Sequence, residues 1–189
     1  VDCGMGFADE KFPGIDIVLP DPSFIESEKQ NLKALVITHA HEDHIGAVAH
    51  LWPRLKCPIY CTDFTASVLK RKLDEVPASR EAIINTVKPG DSINVGPFTL
   101  EFIQVSHSIP DSFALVVGTK VGRVLHSGDW NLDPTPVLGA RTDEAALKQL
   151  GKQGVLAYIG DSTNAEVPGR TGSEMEVEAG LVKVFAECK

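Results

Sequence analysis

The sequence predicts an α/β fold with a central run of antiparallel strands, and three observations lead to that prediction. Residues 34–37 form a short apolar run that includes β-branched residues, the pattern of a strand buried on both faces. Five segments between residues 84 and 126 are separated by Pro-Gly, Gly-Pro and Lys-Val-Gly turns, which indicates hairpins. An amphipathic pattern at residues 63–75 and a helical pattern at residues 143–150 predict helices on either side of these strands.

The first 75 residues alternate extended and helical patterns. Extended patterns occupy residues 16–20, 34–37 and 58–60. Helical patterns occupy residues 24–33, 45–55 and 63–75. The strand at 34–37 leads directly into a segment rich in histidine, which makes that junction a candidate site.

The rest of the chain turns to strands and then returns to helix. The five central strands are predicted at residues 84–88, 92–95, 98–105, 112–119 and 122–126. After the helix at 143–150, the apolar run 155–159 predicts another buried strand. A last helix is predicted from residue 173 to residue 188, with Ser173 as its N-cap.

The composition limits the classes of protein that the chain can represent. With 189 residues, 43% of them hydrophobic, it can bury a core and is predicted to form one globular unit. A net charge of −8 argues against a broad basic surface that would hold nucleic acid by charge alone. A local basic groove is compatible with this charge, and bound divalent cations would add positive charge that the count omits.

The four cysteines form no Cys-x-x-Cys pair, and the N-terminus does not resemble a secretory signal. We therefore expect a cytoplasmic protein with reduced cysteines. No apolar run approaches the length of a membrane span, so no membrane association is expected. The chain starts at Val1 without a methionine and stops within a helical pattern, so we expect a fragment that lacks structure at both ends.

Residues 38–46 place three imidazoles and a carboxylate within a His-x-His-x-Asp-His pattern, formed by His39, His41, Asp43 and His44. Alternating His39 and His41 can point the same way from an extended loop, whereas Asp43 and His44 lie further on, where a helical pattern begins. Imidazole nitrogen and carboxylate oxygen are ligands of zinc and manganese. The pattern predicts a metal site, with two groups of ligands from one loop.

Two further donors follow predicted strands. His107 comes after the strand at 98–105, and Asp129 comes after the strand at 122–126. Taken alone, either residue is ordinary, since a Gly-Asp dipeptide is common turn chemistry. Their order after the histidine loop, each at a strand end, predicts that they complete the metal site.

Four ordered motifs resemble those of the metallo-β-lactamase superfamily. They lie at residues 1–4, 38–46, 106–108 and 127–130. The segments 160–165 and 168–174 resemble the first motif of the β-CASP branch, as in the bacterial ribonuclease J family, and residues 4–7 and 16–21 are similar to that family's early segments. The resemblance covers nearly the whole chain, and this combination of motifs is more specific than the histidine loop alone.

The resemblance implies a fold and a domain organisation. The fold would be an αββα four-layer sandwich, with helices outside two packed mixed sheets. It would be partial, because the first strands and the β-CASP insertion would be missing. Residues 1–189 would then be a partial metallo-β-lactamase domain, and residues 161–189 would be the approach to the β-CASP domain.

The resemblance also implies a two-metal site, with Zn²⁺ as the first choice and Mn²⁺ or Mg²⁺ as alternatives. His39, His41 and His107 would hold one ion, Asp43 and His44 would help to hold the second, and Asp129 would bridge both. The second site would be one ligand short, because the family's last metal-binding histidine lies beyond this chain.

Further roles can be assigned to residues around the two ions. Asp43 would also be the catalytic residue that accepts a proton from the attacking water. Asp2 is expected to orient the imidazoles from a strand end. By resemblance, Asp161 and Ser162 lie near the active site, where they would orient groups or meet RNA phosphate; the alternative for Asp161 is a helix cap.

The predicted function is metal-dependent hydrolysis of RNA, and the family implies both 5′-to-3′ exonuclease and endonuclease activity. The alternatives are a small-molecule hydrolase of the same superfamily, such as a thioesterase or lactonase, and a non-catalytic RNA-binding subunit. The whole protein is expected to form a homo-oligomer, a dimer or tetramer. We expect residues 1–189 alone not to cleave RNA.

Overall fold

A computed structural model describes residues 1–188 and shows strands and helices arranged in three sheets with helices outside them. The strands are β1 (Gly6–Phe7), β2 (Ile17–Val18), β3 (Leu35–Val36), β4 (Ile59–Cys61), β5 (Ile84–Thr86), β6 (Ser92–Val95), β7 (Phe98–Gln104), β8 (Phe113–Thr119), β9 (Gly122–His126) and β10 (Ala157–Ile159). The helices are α1 (Ser23–Ser27), α2 (Glu42–Ile45), α3 (Val48–Leu55), α4 (Asp63–Glu75), α5 (Glu144–Gln153) and α6 (Glu174–Glu187), with 3₁₀ turns at Lys29–Asn31 and Pro77–Ser79.

The larger sheet has the strand order β10-β9-β8-β7-β6. Its strands β6 to β9 are antiparallel neighbours, as the turn signals predicted, and β10 joins β9 in parallel. The prediction that residues 84–88 belong to the same antiparallel run is wrong, because β5 pairs in parallel with β4 instead. A smaller sheet contains β3, β4 and β5, all parallel, and β1 pairs with β2 in a separate antiparallel hairpin. Because β7 and β9 run in the same direction, their carboxyl ends lie at the same edge of the larger sheet.

Successive residues of the strands pack on opposite sides of their sheets, as the pleat requires. In and just after β3, Val36 faces one core cluster and Ile37 faces another. In β7, Phe102 and Ile103 divide in the same way, and in β8 Phe113 meets Phe102 edge to face at 4.9 Å between ring centroids. Both sheets are therefore covered by apolar packing on two sides.

Three clusters follow from this alternation. The first lies between the smaller sheet and helices α3 and α4, the second lies between the two sheets, and the third lies between the larger sheet and α5. Representative residues, from the first cluster to the third, are Ile59 and Leu69, Phe113 and Leu115, and Val116 and Leu150. The order helix, sheet, sheet, helix confirms the predicted αββα sandwich.

Two predicted helices are interrupted, the first by a local hydrogen bond and the second by a contact with a distant part of the chain. The pattern at 24–33 ends at Ser27, whose hydroxyl donates to the carbonyl of Phe24, and a 3₁₀ turn follows. The pattern at 45–55 divides into α2 and α3, because the amide of Ala47 donates to the carbonyl of Cys3 at 3.0 Å and not to its own helix. The N-terminal segment therefore takes part in shaping the histidine loop.

The prediction that residues 155–159 form a buried strand is wrong in its burial. The strand β10 forms, but its three residues are exposed. It occupies an edge of the larger sheet, where β9 is its neighbour and no described residue covers its outer side. Among residues 1–188, no helix combines the length and the apolar composition needed to cross a bilayer.

The last helix begins as predicted, and its start can be tested. The Ser173 hydroxyl accepts the amide of Glu176, and the Glu176 carboxylate accepts the amide of Ser173, which is a capping box. No residue of α6 is buried, so its stability depends mainly on interactions within the helix, such as this capping box.

We expect Ser173→Ala to destabilise α6 by about 1 kcal/mol, which corresponds to about fivefold faster amide hydrogen exchange within the helix. The matched control is Ser67→Ala in the middle of α4, where the hydroxyl bonds a carbonyl of its own helix and caps nothing. Equal exchange in α6 of the Ser173→Ala variant and the wild type would contradict the capping role.

Candidate metal centre

The candidate site lies where the carboxyl ends of several strands meet. The loop after β3 carries residues 38–44, the loop after β7 carries His107, and the turn after β9 carries Asp129. The two sheets join here, since the amide of Phe113 donates to the carbonyl of Thr38 at 3.3 Å. Residues far apart in the chain are thus brought to one edge, as the positions at strand ends predicted.

The first donor group consists of His39, His41 and His107, whose ligand atoms lie within 4.8 Å of one another. The Nδ1 atom of His41 is 3.1 Å from Nε2 of His39 and 3.0 Å from Nε2 of His107. The three rings meet nearly edge to face, with centroids 4.7 to 4.8 Å apart. Three nitrogen atoms therefore converge on one point.

The second donor group consists of His39, His44 and Asp129, which also lie within 4.8 Å of one another by their ligand atoms. Nε2 of His44 is 3.3 Å from one carboxylate oxygen of Asp129, and Nε2 of His107 is 3.8 Å from the other. The carboxylate of Asp129 thus faces both groups at once. This placement is what a bridging ligand requires.

The donor set fits divalent metal ions on chemical grounds. Nitrogen atoms bound to one tetrahedral zinc ion at about 2.05 Å lie about 3.3 Å apart, close to the separations within the first group. Three imidazole nitrogens that approach so closely cannot all satisfy one another as hydrogen-bond partners, whereas a cation satisfies all of them. The first group is rich in nitrogen and the second adds carboxylate oxygen, a mixture typical of Zn²⁺ or Mn²⁺.

Burial keeps His39 ready to act as a ligand. Its side chain is fully buried, and this burial, followed by the charges of the neighbouring imidazoles, lowers the pKa of His39 to about 2. Burial also opposes the charge of His44, but the carboxylates of Asp2, Asp129 and Asp43 outweigh it and raise the pKa of that histidine. The deeper imidazole is therefore neutral, with a lone pair available.

Asp2 and Thr38 hold the imidazoles from behind. One carboxylate oxygen of Asp2 accepts the amide of Thr38 at 2.8 Å, and the other lies 2.8 Å from Nδ1 of His44. The hydroxyl of Thr38 donates to Asp2 at 3.0 Å and also lies 3.0 Å from Nδ1 of His39. These contacts leave Nε2 of His39 and His44 facing the donor groups, the arrangement that an orienting role for Asp2 predicts.

Thr38 was not among the site residues predicted from the sequence. Its hydroxyl touches both Asp2 and His39, and it is fully buried. Its position directly before the His-x-His pair was the available signal. Gly128 is a second such residue: its φ of +57° suits glycine, and a Cβ there would lie 3.1 Å from Cβ of Thr38.

Asp43 lies apart from both donor groups. Its carboxylate is 71% exposed and approaches Nε2 of His44 only to 3.7 Å. It borders an open cavity lined by the N-terminal segment and by Val18, Leu19 and Pro20. This exposed position next to His44 suits a group that meets substrate or water.

Asp161 and Ser162 differ in their relation to the site. The amide of Asp161 donates to the Ser127 hydroxyl at 2.9 Å, and its carboxylate accepts the amide and hydroxyl of Thr163. Burial opposes the charge of Asp161, but the two hydrogen bonds from Thr163, the backbone of Trp130 and the charge of His107 outweigh it and lower the pKa of Asp161. Ser162 is exposed, and its hydroxyl donates to the carbonyl of Gly160.

A four-layer sandwich with overlapping histidine and aspartate groups at its strand ends defines a class of metal-binding domain. Residues 1–150 match the β-lactamase superfamily domain, and the chain belongs to that superfamily. Its sequence is similar over the full length to ribonuclease J of Sinorhizobium meliloti, at 48% identity over 189 residues. Ribonuclease J of Thermus thermophilus is 40% identical over 98% of the chain.

The chain spans about a third of the length of these relatives, 34% in both cases. Among solved structures, a protein of unknown function from Enterococcus faecalis V583 matches 98% of this chain and 51% of its own, with a TM-score of 0.63 and 19% identity. That likeness concerns the fold alone. Divalent metals are implied by the superfamily and by the two donor groups.

Proposed function

We propose that this chain carries the metal centre of a ribonuclease that hydrolyses phosphodiester bonds of RNA. The observation that carries the proposal is the pair of overlapping donor groups, which share His39 and lie next to the carboxylate of Asp129. The 48% identity to a ribonuclease J directs this centre towards RNA. The proposal includes both 5′-to-3′ exonuclease and endonuclease activity and a cytoplasmic homo-oligomer.

Five of the proposed ligands are members of the two donor groups, whereas Asp43 lies outside both and is proposed from the resemblance of its motif. His39, His41 and His107 would hold one ion, which we propose is Zn²⁺, and His44 and Asp43 would contribute to the second, with Asp129 between them. When bound, two divalent ions supply a nucleophile near neutral pH and stabilise the charge that develops on a phosphodiester. They would also give positive charge to the RNA-facing edge of a chain whose net charge is −8.

The chain's own carboxylates have separate proposed duties. Asp43, exposed next to His44, would accept the proton that the attacking water releases. Asp2 would keep Nε2 of His44 directed at the site through its bond to Nδ1. Asp161 would orient the turn that carries Asp129, and the exposed hydroxyl of Ser162 would meet RNA phosphate.

We further propose that residues 1–189 belong to a metallo-β-lactamase domain and that residues 161–189 lead towards a β-CASP domain. The change from the packed sheet to an exposed helix after residue 160 supports a domain boundary there. Strand β10 is the last element of the larger sheet, and α6 after it has no buried residue.

The substrate class can be tested directly. The whole protein, of which residues 1–189 are proposed to be a part, is expected, when loaded with Zn²⁺ or Mn²⁺, to hydrolyse a labelled single-stranded RNA and to leave thioester and lactone substrates intact. Residues 1–189 alone are expected not to cleave the RNA. Hydrolysis of a thioester or lactone without RNA cleavage would favour the small-molecule alternative. RNA binding without cleavage and without any bound metal would favour the non-catalytic alternative.

Metal binding should stabilise the folded protein, because the donors come together only on folding. At a free ion concentration ten times the Kd, one site contributes about 1.4 kcal/mol, or about 3 to 6 °C in Tm. We expect chelation to remove this gain, and His107→Ala to reduce the response of Tm to chelation by the contribution of the first ion. His50→Ala, which removes an exposed histidine of α3, is the matched control and should retain the response. An unchanged response in His107→Ala would contradict the assignment.

A further inference from the structure

Glu42 is the one charged residue of the histidine loop without a role in the proposed chemistry. It opens α2, the single turn that also contains Asp43 and His44. One of its carboxylate oxygens forms an ion pair with the ammonium group of Lys72 in α4. The other is buried and has no hydrogen-bond partner among the described residues. The Glu42 side chain is 40% exposed as a whole, and Lys72 is the one cation among the described residues that pairs with it.

The buried carboxylate oxygen of Glu42 packs against the backbone of Gly46, at the end of α2. A Cβ on Gly46 would lie 2.8 Å from the buried carboxylate oxygen of Glu42 and 2.6 Å from its carbonyl oxygen. That carbonyl accepts the amides of Met5 at 3.1 Å and of Gly46 at 2.8 Å. The side chain of Glu42 is thus set between the end of α2 on one side and Lys72 on the other.

Lys72 is anchored more firmly than a surface lysine. Its side chain is 25% exposed, and Leu69 and Leu73 next to it in α4 are buried in the first core cluster. Its neighbours Lys70 and Arg71 are exposed. The ion pair therefore connects a helix fixed in the core to the short turn that carries His44 and Asp43.

We propose that Lys72 and Glu42 are a positioning pair that fixes α2 and thereby the ligands of the second metal ion. This inference rests on the proposed function, because it assigns the pair to one of the two ions. Of the ligands of the first ion, His39 and His107 lie outside α2 and His41 is its N-cap residue. His44 and Asp43, which are proposed for the second ion, lie within α2 itself. Loss of the pair should therefore weaken binding of the second ion selectively. A general loss of stability would instead weaken binding of both ions.

The test is a titration of the metal-free protein with Co²⁺, followed by visible absorption and by calorimetry, which resolve the two binding steps. In Lys72→Met we expect the second step to weaken about tenfold or more, the range found for groups that orient ligands, while the first step is unchanged. Glu42→Gln, which keeps the shape and removes the charge, should act in the same direction. Lys72→Arg, which keeps a cation, should restore most of the affinity. Lys70→Met, an exposed lysine of the same helix, is the matched control and should bind both ions as the wild type does.

Two outcomes would overturn the inference in distinguishable ways. If Lys72→Met and Glu42→Gln both bind the second ion with wild-type affinity, or weaken both ions equally, the pair does not position α2. If Lys72→Met does not fold, the comparison is made with Glu42→Gln and Lys72→Arg, and the same criteria apply. If the wild-type protein binds no Co²⁺ at all, the proposed function fails first, and this inference fails with it.

Discussion

Replacing Asp129 with alanine in the whole protein is expected to lower the rate of RNA hydrolysis about a thousandfold. The Asp129 carboxylate lies 3.3 Å from Nε2 of His44 and 3.8 Å from Nε2 of His107, so it is the group that faces both proposed ions. Metal ions contribute several kcal/mol of charge stabilisation in such reactions, and each 1.36 kcal/mol corresponds to a factor of ten. The measurement is the single-turnover rate on a labelled RNA, together with the number of bound ions.

The same substitution at Asp74, an exposed carboxylate of α4, is the matched control and should leave both the rate and the ion count unchanged. Asp129→Asn keeps one oxygen donor and should fall between the wild type and the alanine variant. A full rate in Asp129→Ala, or a low rate with two ions still bound at wild-type affinity, would exclude a bridging role.

Gly4→Ala is expected to weaken binding of the second ion and to lower the rate of RNA hydrolysis about a hundredfold. A Cβ at Gly4 would lie 1.6 Å from the carbonyl oxygen of Asp43 and 2.8 Å from the amide nitrogen of His44, so the backbone must move. The amide of Cys3 also donates to the carbonyl of His44 at 2.7 Å, and that bond would be strained or lost. A misplacement of about 1 Å can cost a factor of about a hundred in rate.

Gly6→Ala is the matched control, because a Cβ there meets no atom within 4 Å. It should leave ion binding and hydrolysis unchanged. Calorimetric titration of both variants with Mn²⁺ gives the comparison, and circular dichroism verifies that each is folded. Equal binding of the second ion by Gly4→Ala and Gly6→Ala would show that the N-terminal segment does not hold α2.

Much of the fold could be predicted because its signals are local. The helix Asp63–Glu75 and the strands Ser92–Val95 and Gly122–His126 have the bounds that periodicity and turn residues indicated. The burial of β10 was predicted wrongly, because an apolar run in the sequence does not show whether another element packs over the strand. The break between α2 and α3 depends on the bond from the amide of Ala47 to the carbonyl of Cys3, which joins residues 44 positions apart and leaves no local signal.

In the candidate site, too, features with a local sequence signal were predicted and features that depend on distant contacts were not. The His-x-His-x-Asp-His spacing identified the donors of one loop, and positions at strand ends indicated His107 and Asp129. Sequence spacing did not show that Asp43 would be 71% exposed and outside both donor groups. It also missed Thr38 and Lys72, since the role of each depends on a partner that folding brings near: Asp2 in one case and Glu42 in the other.

The spread of the donors along the chain has a kinetic consequence. His39 and Asp129 are separated by 90 positions, and they meet only after both sheets have formed and joined. The unfolded chain offers an ion the donors of residues 39–44 without His107 and Asp129, so we expect capture of both ions late in folding. Chelators should then accelerate unfolding much more than they slow refolding, because the ions stabilise the native state more than the transition state.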